Sequence, residues 1–306
     1  VSTCELVISV INPGESVTVA RQVAAAMKKT GRKIAFADLN AVSPQTARDG
    51  DKMIREAGGM YIDGGIIGPP PRGEKDKPRI YVSGPDAYLV EQINHPNLLV
   101  RVMSERIGDA SGVKMCYAAM TKGTTALAVE LLMAARMLGV EQALEKELRD
   151  SRADVFEWQM KNLASMPPKA YRWVPEMQEI AKTFGELGLT RRIFEGATDI
   201  YDMVARTPLG KESPEQARKA GRVGLDVTRE LADGRGASPS GFHQLDDRPE
   251  GGEPAAAETE TDLVDRRAAI EQAEDHGRGV FGASRFGGVL PHRAEEDRTR
   301  PEDGGD

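Results

Sequence analysis

The chain has few cysteines, few aromatic residues and no excess of basic charge, and each shortage excludes a class of protein. Its 306 residues include two cysteines, Cys4 and Cys116, which are too few and too far apart for a zinc site or a disulfide framework. Aromatic residues make up 5% of the chain and the formal net charge is −7, which argues against a nucleic-acid-binding surface. We therefore expect no nucleic-acid partner, no metal site and a reducing, cytoplasmic location.

Long apolar runs and several catalytic motifs are also missing. No apolar run reaches the roughly 18 residues that a membrane-spanning helix needs, so we expect no membrane partner. Residues 1–233 contain no G-x-G-x-x-G turn, and the sequence has no Walker phosphate loop, no H-E-x-x-H and no G-x-S-x-G. His95 is the only histidine in residues 1–233, so a histidine-based catalytic triad is not expected.

The distribution of charge separates an acidic tail from a nearly neutral body. Residues 234–306 contain 17 Asp and Glu, nine Arg and no Lys, a net charge of −8, whereas residues 1–233 carry +1. The tail also holds 12 of the 32 glycines. Such a composition buries too little apolar surface to offset chain entropy, which predicts a disordered acidic tail over residues 234–306.

Short apolar runs alternate with helical periodicity in the first part of the body, up to about residue 107. This alternation predicts an α/β domain with a parallel sheet, because crossover helices join parallel strands. Strands are predicted at Leu6–Ile11, Lys33–Leu39, Met60–Ile67, Ile80–Ser83 and Leu98–Val102, and helices at Ser16–Lys29 and Pro44–Ala57.

The pattern becomes helical throughout after Gly112, which predicts an all-α second part. Met120–Leu138 is apolar on nearly every face, and a helix of this kind is typical of the centre of a domain or of a dimer interface. Further helices are predicted at about Glu141–Leu163, Val174–Leu187, Arg191–Ala205 and Pro214–Leu231.

Two segments place polar loops directly after predicted strands. In VISVINPGES (Val7–Ser16) the Asn12-Pro13 loop either contacts a cofactor or forms an ordinary strand-to-helix turn. In FADLNAVSPQTAR (Phe36–Arg48) the side chain of Asn40 is expected where two strand ends converge, a position that suits a ligand hydroxyl or carboxamide.

Two later segments add glycines and lysines. YIDGGIIGPPPRG (Tyr61–Gly73) carries glycines that permit close approach of a ligand to the backbone, or that simply mark a turn. In RIGDASGVKMCYAAMTKG (Arg106–Gly123), Lys114 and Lys122 are eight residues apart, roughly on one face of an apolar helix. Lys114, which is flanked by Val113, Met115 and Cys116, is a candidate general base or a side chain that reaches out to solvent.

In this order and spacing the four segments resemble the β-hydroxyacid dehydrogenase family, which includes 3-hydroxyisobutyrate and 6-phosphogluconate dehydrogenases. The nearest branch carries a phosphogluconate-dehydrogenase-type C-terminal domain, and the resemblance extends over Glu5–Ala232. It implies the C-terminal part of a Rossmann-like domain in residues 1–110, with the first βαβ unit and its pyrophosphate turn missing. A helical substrate and dimerisation domain over residues 111–233 and the disordered tail would follow.

The resemblance also implies roles for individual residues. The family's catalytic lysine, which takes the proton of the substrate hydroxyl, corresponds to Lys114. NADP or NAD is the implied cofactor, without a readable preference, and a homodimer through the helical domain is the implied assembly. The remaining implied site residues are Gly68 and Ile67 for the substrate and Asn12, Pro13 and Asn40 for the cofactor. We hypothesise in addition that Tyr117 and Lys122 take polar roles in substrate binding.

The sequence departs from the better-known members at two positions near this lysine. An Asn that follows the catalytic lysine by four residues is Ala118 here, and the Glu of the phosphogluconate enzymes is Thr121. Decarboxylation of 6-phosphogluconate is therefore not expected. Two functions remain: an NAD(P)-dependent oxidoreductase acting on a small hydroxy-carboxylate, or a truncated, non-catalytic homologue that acts as a dimerising, protein-interaction module.

Overall fold

Five strands form one sheet in which spatial order follows chain order. The computed structural model describes residues 4–70 and 77–236 of the chain. The strands are β1 (Leu6–Ser9), β2 (Ala35–Asp38), β3 (Met60–Ile67), β4 (Arg79–Ser83) and β5 (Leu99–Ser104), in the order β1-β2-β3-β4-β5.

One strand pair corrects the expectation of a wholly parallel sheet. β1, β2 and β3 are parallel to one another and β4 is parallel to β5, but β3 and β4 are antiparallel. Parallel neighbours need a crossover of a dozen or more residues, and only residues 68–78 join β3 to β4. The fold class is otherwise as predicted, a mostly parallel Rossmann-like sheet followed by helices.

Two helices belong to the sheet part and nine follow it in the described residues. A short 3₁₀ helix, Pro13–Glu15, precedes the first helix, and a π-helical turn, Ala119–Gly123, separates the third from the fourth. The helices are α1 (Ser16–Thr30), α2 (Pro44–Glu56), α3 (Asp109–Ala118), α4 (Thr124–Met137), α5 (Glu141–Ser151), α6 (Ala153–Ser165), α7 (Ala170–Glu186), α8 (Arg192–Arg206), α9 (Pro208–Lys211), α10 (Pro214–Ala220) and α11 (Gly224–Gly236).

Two predicted helices are each divided in the structure. The segment predicted as one helix from Glu141 is broken at Arg152, whose φ of −144° and ψ of 41° lie outside the helical region. The segment predicted as one helix from Pro214 ends at Gly221, whose φ of 64° is the left-handed conformation of a helix C-cap. Hydrophobic periodicity continues across both breaks, which is why it did not reveal them.

Apolar residues cover both faces of the sheet and fill the helical part. One cluster lies between the sheet and helices α1 and α2, and includes Met27, Phe36 and Tyr61. A second occupies the opposite face of the sheet, and the largest surrounds α4 and α7. The described residues all belong to one compact unit of the chain, so the boundary near residue 110 stays a prediction.

The predicted disordered tail, residues 234–306, lies almost wholly outside the residues that the structure describes. No helix in residues 4–70 and 77–236 has the length and apolarity needed to cross a membrane.

Candidate active site

A cleft of roughly 370 Å³ lies where the sheet meets the helical part. The loops that follow β1 and β2 form one wall, and the first turns of α7 form another. Ligands of open α/β sheets bind outside the carboxyl ends of the strands, which is the position of this cleft. Its lining residues are Val10, Ile11, Asn12, Pro13, Leu39, Asn40, Ala41, Ile66, Lys114, Lys122, Tyr171, Arg172, Trp173 and Glu176.

The side chain of Lys114 lies across strand β3. A Cβ placed on Gly65 would come within 2.7 Å of the Cβ of Lys114, so the absence of a side chain at Gly65 permits this close approach. The Lys114 amine donates a hydrogen bond to the backbone oxygen of Ile66 at 2.9 Å. A glycine that was expected to accommodate a ligand therefore accommodates the stem of a lysine.

Asp63, also in β3, fixes the helix that carries Lys114. Its buried carboxylate accepts hydrogen bonds from the backbone N–H groups of Gly108 (2.9 Å) and Ser111 (3.0 Å) at the start of α3. The hydroxyl of Ser83 donates to the same carboxylate at 2.9 Å. A negative charge at a helix N-terminus satisfies donors that the helix cannot pair internally. Burial nevertheless raises the pKa of Asp63 above its ordinary value, despite these hydrogen bonds.

A π-helical turn between α3 and α4 brings Lys122 onto the same side as Lys114. Eight residues of regular α-helix correspond to about 2.2 turns, which would offset the two side chains by roughly 80°. The wider turn at Ala119–Gly123 absorbs one extra residue, so the separation approximates two full turns. The hydroxyl of Tyr201 donates to the Lys122 backbone oxygen at 2.6 Å and so supports the turn.

Glu176 of α7 binds both lysines. The Lys114 amine lies 3.6 Å from its Oε1 atom, and the Lys122 amine forms an ion pair with its Oε2 atom. All three side chains are largely buried, with exposed fractions of 15% for Lys114, 14% for Lys122 and 7% for Glu176. The Lys122 amine also lies 5.2 Å from the ring centre of Trp173, within the range of a cation–π contact.

The electrostatics of this cluster lower the pKa of Lys122. Burial lowers the pKa of Lys122 to about 8, and the charges of Lys114 and Arg172 act in the same direction, whereas Glu176 opposes them. For Glu176, burial alone would raise the pKa, but the attraction of the two lysines outweighs it and the net shift is downward. Glu176 is therefore a carboxylate at neutral pH, and Lys122 loses its proton at a pH just above neutral.

Asn40 lies where the ends of β1 and β2 converge, as predicted. Its Oδ1 atom accepts from the Ile11 N–H at 2.6 Å, and its Nδ2 atom donates to Ser9 Oγ at 2.9 Å and Asp38 Oδ1 at 2.6 Å. Both N–H groups of the amide are thus used within the protein. Asn40 shapes the cleft by holding the β1 loop in place, and one oxygen lone pair remains for a ligand.

Asn12, Pro13 and Asn40 of the predicted cofactor residues line the cleft together with Lys114 and Lys122. Three predicted substrate residues are not among its lining residues. Ile67 is buried at the end of β3, Gly68 follows it with φ of +116° and lies against Pro78, and Tyr117 is exposed on α3. Their predicted contact with substrate stays a prediction.

Sequence reasoning missed Glu176 and Asp63. Glu176 follows a proline within the helical pattern of α7, and Asp63 sits inside a buried strand, so both interrupt a regular pattern. Their partners lie far along the chain: Asp63 binds residues 45 and 48 positions away. An ionisable residue within an apolar element was the one signal that could have indicated them.

A second carboxylate of α7 connects the two parts of the body. Glu179 Oε2 accepts hydrogen bonds from the backbone N–H of Ser43 at 2.6 Å and from the hydroxyl of Thr46 at 2.7 Å, at the start of α2. The Lys182 amine donates to the same Thr46 hydroxyl at 2.9 Å. Three side chains therefore join α7 to the helix that follows β2.

A segment of the helical part matches a known family model. Residues 135–204, from the end of α4 to α8, match the domain of unknown function DUF1932. An uncharacterized 28.5 kDa protein in the 7S RNA 5′ region of Methanothermus fervidus is 28% identical over 158 residues, which are 51% of this chain and 58% of that protein. The chain thus matches less than two thirds of the length of that relative.

Solved structures share the architecture of the whole described body. A conserved hypothetical protein from Sinorhizobium meliloti 1021 is 24% identical, with a TM-score of 0.53, over 75% of this chain and 76% of that one. The conserved protein MTH1747, of unknown function, was described as structurally similar to 3-hydroxyacid dehydrogenases. It is 29% identical, with a TM-score of 0.50, over 72% of this chain and 79% of that one.

The chain has the hydroxyacid dehydrogenase fold. The 3-hydroxyisobutyrate dehydrogenase of Mycobacterium tuberculosis, whose structure was solved with L-serine, has the same fold at 15% identity and a TM-score of 0.51, over 72% of this chain and 81% of that one. The resemblance predicted from the four sequence segments is confirmed at the level of the fold.

Proposed function

We propose that this chain is an NAD(P)-dependent oxidoreductase that acts on a small hydroxy-carboxylate, with Lys114 as the general base. The observation that carries the proposal is the meeting of Lys114 with the Asn12 and Asn40 loops in one cleft at the carboxyl ends of β1 and β2. The hydroxyacid dehydrogenase fold supports a reaction of this class, while the residues of the cleft provide its chemistry.

Lys114 has the position that proton abstraction requires. Its amine reaches the cleft from a rigid helix and is oriented by the Ile66 backbone oxygen and Glu176. In its neutral form the amine accepts the proton of a substrate hydroxyl while the carbon-bound hydrogen leaves as hydride. A bound nicotinamide supplies the hydride acceptor.

The cleft fits the nicotinamide half of such a cofactor. Val10 and Ile11 present exposed apolar side chains beside Asn12, and together they offer a flat ring an apolar surface and its carboxamide a polar partner. The volume of about 370 Å³ lies near the lower end of the range for ligand pockets, roughly 300–1,000 Å³. A nicotinamide and a small acid suit that volume, but a complete dinucleotide extends beyond it.

The charge of the cleft favours an anionic substrate. Its lining contains three cations, Lys114, Lys122 and Arg172, and one anion, Glu176. The net positive charge complements a carboxylate, and an arginine near the opening offers paired donors for it. We therefore assign Lys122 and Arg172 to the carboxylate and Lys114 to the hydroxyl of the substrate.

We further propose a homodimer, with the exposed apolar face of α4 at its interface. We call this face the α4 stripe, because its residues recur at intervals of three or four along the chain, as residues on one side of a helix do. Its members are Leu127, Leu131, Ala134 and Leu138. Leu127 and Leu138 have exposed fractions of 62% and 75%, large values for leucines in a row, and a second copy would cover them. A cytoplasmic location, which we also propose, agrees with the free thiols of Cys4 and Cys116.

Binding of the cofactor and loss of turnover test the enzyme proposal. The purified chain is titrated with NADPH and with NADH by nicotinamide fluorescence, and hydroxy acids are then screened for reduction of NADP or NAD. Micromolar binding and turnover are expected, and Lys114→Ala is expected to lower kcat by at least about 10²-fold. Lys146→Ala, which removes an exposed lysine, serves as the control.

Residues 1–233 contain no G-x-G-x-x-G turn, and this absence from the body favours the alternative of a non-catalytic homologue. Absence of binding up to millimolar concentrations of either cofactor would contradict the enzyme proposal for this chain. Unchanged turnover in Lys114→Ala would contradict the role of that lysine. In either case the interaction module becomes the better-supported function.

A further inference from the structure

We propose that Lys114, Glu176 and Lys122 act as one proton-sharing unit, in which Lys122 is the second proton-carrying residue and Glu176 is the positioning residue. The electrostatic coupling follows from the described geometry alone. Its use in catalysis rests on the proposed function.

The unit contains two amines on one buried carboxylate. Each amine faces a different oxygen of Glu176, Lys114 at Oε1 and Lys122 at Oε2. Oε1 is buried and has no hydrogen-bond partner among the described residues, so its contact with the Lys114 amine at 3.6 Å is an ion pair without a hydrogen bond. A modest approach of Lys114 toward this oxygen would complete the bridge.

The unit carries more positive charge than its surroundings can balance. With both lysines protonated, Glu176 neutralises one charge and the other remains buried, which is unfavourable. The groups facing Lys122 from neighbouring elements are Lys114 on α3, Arg172 and Glu176 on α7, and Tyr201 on α8, whose hydroxyl binds the Lys122 backbone oxygen. Glu176 is the only anion among them, so loss of one proton relieves the imbalance.

Lys122 is an amine that holds its proton weakly. Burial and the charges of Lys114 and Arg172 all oppose its protonation. The Lys114 amine donates a hydrogen bond to the Ile66 backbone oxygen. The ring of Trp173 contributes a weaker attraction to the charged form of Lys122.

This arrangement gives a substrate proton a route out of the cleft. The unit then holds one proton shared between the two amines, and while that proton is on Lys122, Lys114 is neutral and takes the proton of a substrate hydroxyl. The O–H bond breaks and an N–H bond forms, leaving Lys114 as an ammonium beside a protonated Lys122. Lys122 releases its proton to water, the proton of Lys114 passes through the Glu176 carboxylate to Lys122, and the unit is restored with one proton lost for each hydride transferred.

The coupling is measured by NMR titration of the lysine side chains in the whole chain labelled with ¹³C and ¹⁵N lysine, without cofactor or substrate. Glu176→Gln removes the one attractive charge, and the proton affinity of Lys122 is expected to fall at least about tenfold. Lys114→Met removes a repulsive charge, and the proton affinity of Lys122 is expected to rise at least about threefold. Signals are assigned with Lys122→Arg.

Glu186→Gln is the matched control, because it removes an exposed carboxylate from the end of the same helix and is expected to leave Lys122 unchanged. Should Glu176→Gln not fold, Glu176→Asp replaces it, and Lys122 must then bind its proton more weakly than in the wild type. The proposal is overturned if the proton affinity of Lys122 does not change in the Glu176 variant or in Lys114→Met.

The two proposals fail separately. If the proton affinity of Lys122 falls in Glu176→Gln and rises in Lys114→Met but no cofactor binds, the coupled unit is supported and the dehydrogenase proposal is contradicted. If a cofactor binds but the proton affinity of Lys122 is the same in both variants as in the wild type, the dehydrogenase proposal is supported and the coupled unit is contradicted.

Discussion

Gly65 and Lys114 are in contact across the interface between β3 and α3, at a distance that leaves no room for a methyl group. A Cβ on Gly65 would lie 2.7 Å from the Cβ and 3.2 Å from the Cγ of Lys114. The clash involves the root of the lysine, so rotation of its side chain cannot relieve it and the helix itself has to move.

Gly65→Ala is therefore expected to lower the free energy of unfolding by about 1–3 kcal/mol, the usual cost of overpacking, and to displace the Lys114 amine. Gly196→Ala is the control, because Gly196 lies within α8 with no atom within 4 Å of the added Cβ. There the change should stabilise the protein by roughly 0.5–1 kcal/mol. Denaturant unfolding measures both, and equal effects would contradict the tight contact.

Asp63→Asn is expected to destabilise the start of α3. The carboxylate accepts hydrogen bonds from Gly108, Ser111 and Ser83. The amide nitrogen of an asparagine is a donor, so it would lie opposite other donors and leave them without an acceptor. We expect a loss of about 2–4 kcal/mol in the free energy of unfolding.

Asp86→Asn provides the comparison, because Asp86 makes a 3.5 Å surface contact with Arg55 and should contribute less than about 1 kcal/mol. If Asp63→Asn were as mild as Asp86→Asn, the carboxylate would not be what anchors the helix.

Because of the lowered pKa of Lys122, we expect the free energy of unfolding to increase as the pH rises above neutrality. Its folded pKa of about 8 lies below the ordinary value of 10.5, so between these values the unfolded chain binds more protons than the folded one. From pH 7.5 to 9.5 this difference corresponds to about 2 kcal/mol. The raised pKa of Tyr201, caused mainly by burial, acts in the opposite direction above about pH 10, so the measurement stops before it.

Urea unfolding at pH 7.5, 8.5 and 9.5 is compared between the wild type and Lys122→Met, which should lack the gain. Lys146→Met, with an exposed lysine, should retain it. A parallel pH dependence in wild type and Lys122→Met would show that Lys122 keeps its proton throughout this range.

The α4 stripe predicts the effect of a charge on assembly. Leu127→Lys places a cation at the first position of the stripe and is expected to convert a dimer into a monomer, because an unpaired charge is costly within an apolar interface. Multi-angle light scattering gives the mass directly. Ile193→Lys, at an exposed isoleucine of α8, is the control and should leave the mass unchanged. A monomeric wild type would contradict the proposed interface.

The fold could be predicted from the sequence wherever a pattern is local. The apolar run of β3 predicts its bounds, Met60–Ile67, as the structure has them. Ser43, directly before Pro44, caps α2 by accepting a hydrogen bond from the Thr46 N–H at 3.1 Å. The relative direction of neighbouring strands could not be predicted from such local patterns. The antiparallel pairing of β3 with β4 depends on how the chain returns to the sheet.

The site was predictable in part for the same reason. Lys114, Lys122, Asn12 and Asn40 stand in short segments with a recognisable order, and the structure brings all four to one cleft. Glu176 interacts with residues 54 and 62 positions earlier, and no local pattern encodes such a pairing. The π-helical turn that aligns the lysines is also invisible in hydrophobic periodicity.

The bonds from Glu179 to Ser43 and Thr46 have a consequence for how the cleft discriminates among substrates. They tie α7, which carries Glu176, to the same β2 loop region that carries Asn40, so the two walls keep a fixed separation. Under the proposed function, we expect a cleft whose walls are held in this way to discriminate among acids by their length. Glu179, which lies outside the reacting centre, would then set the size limit.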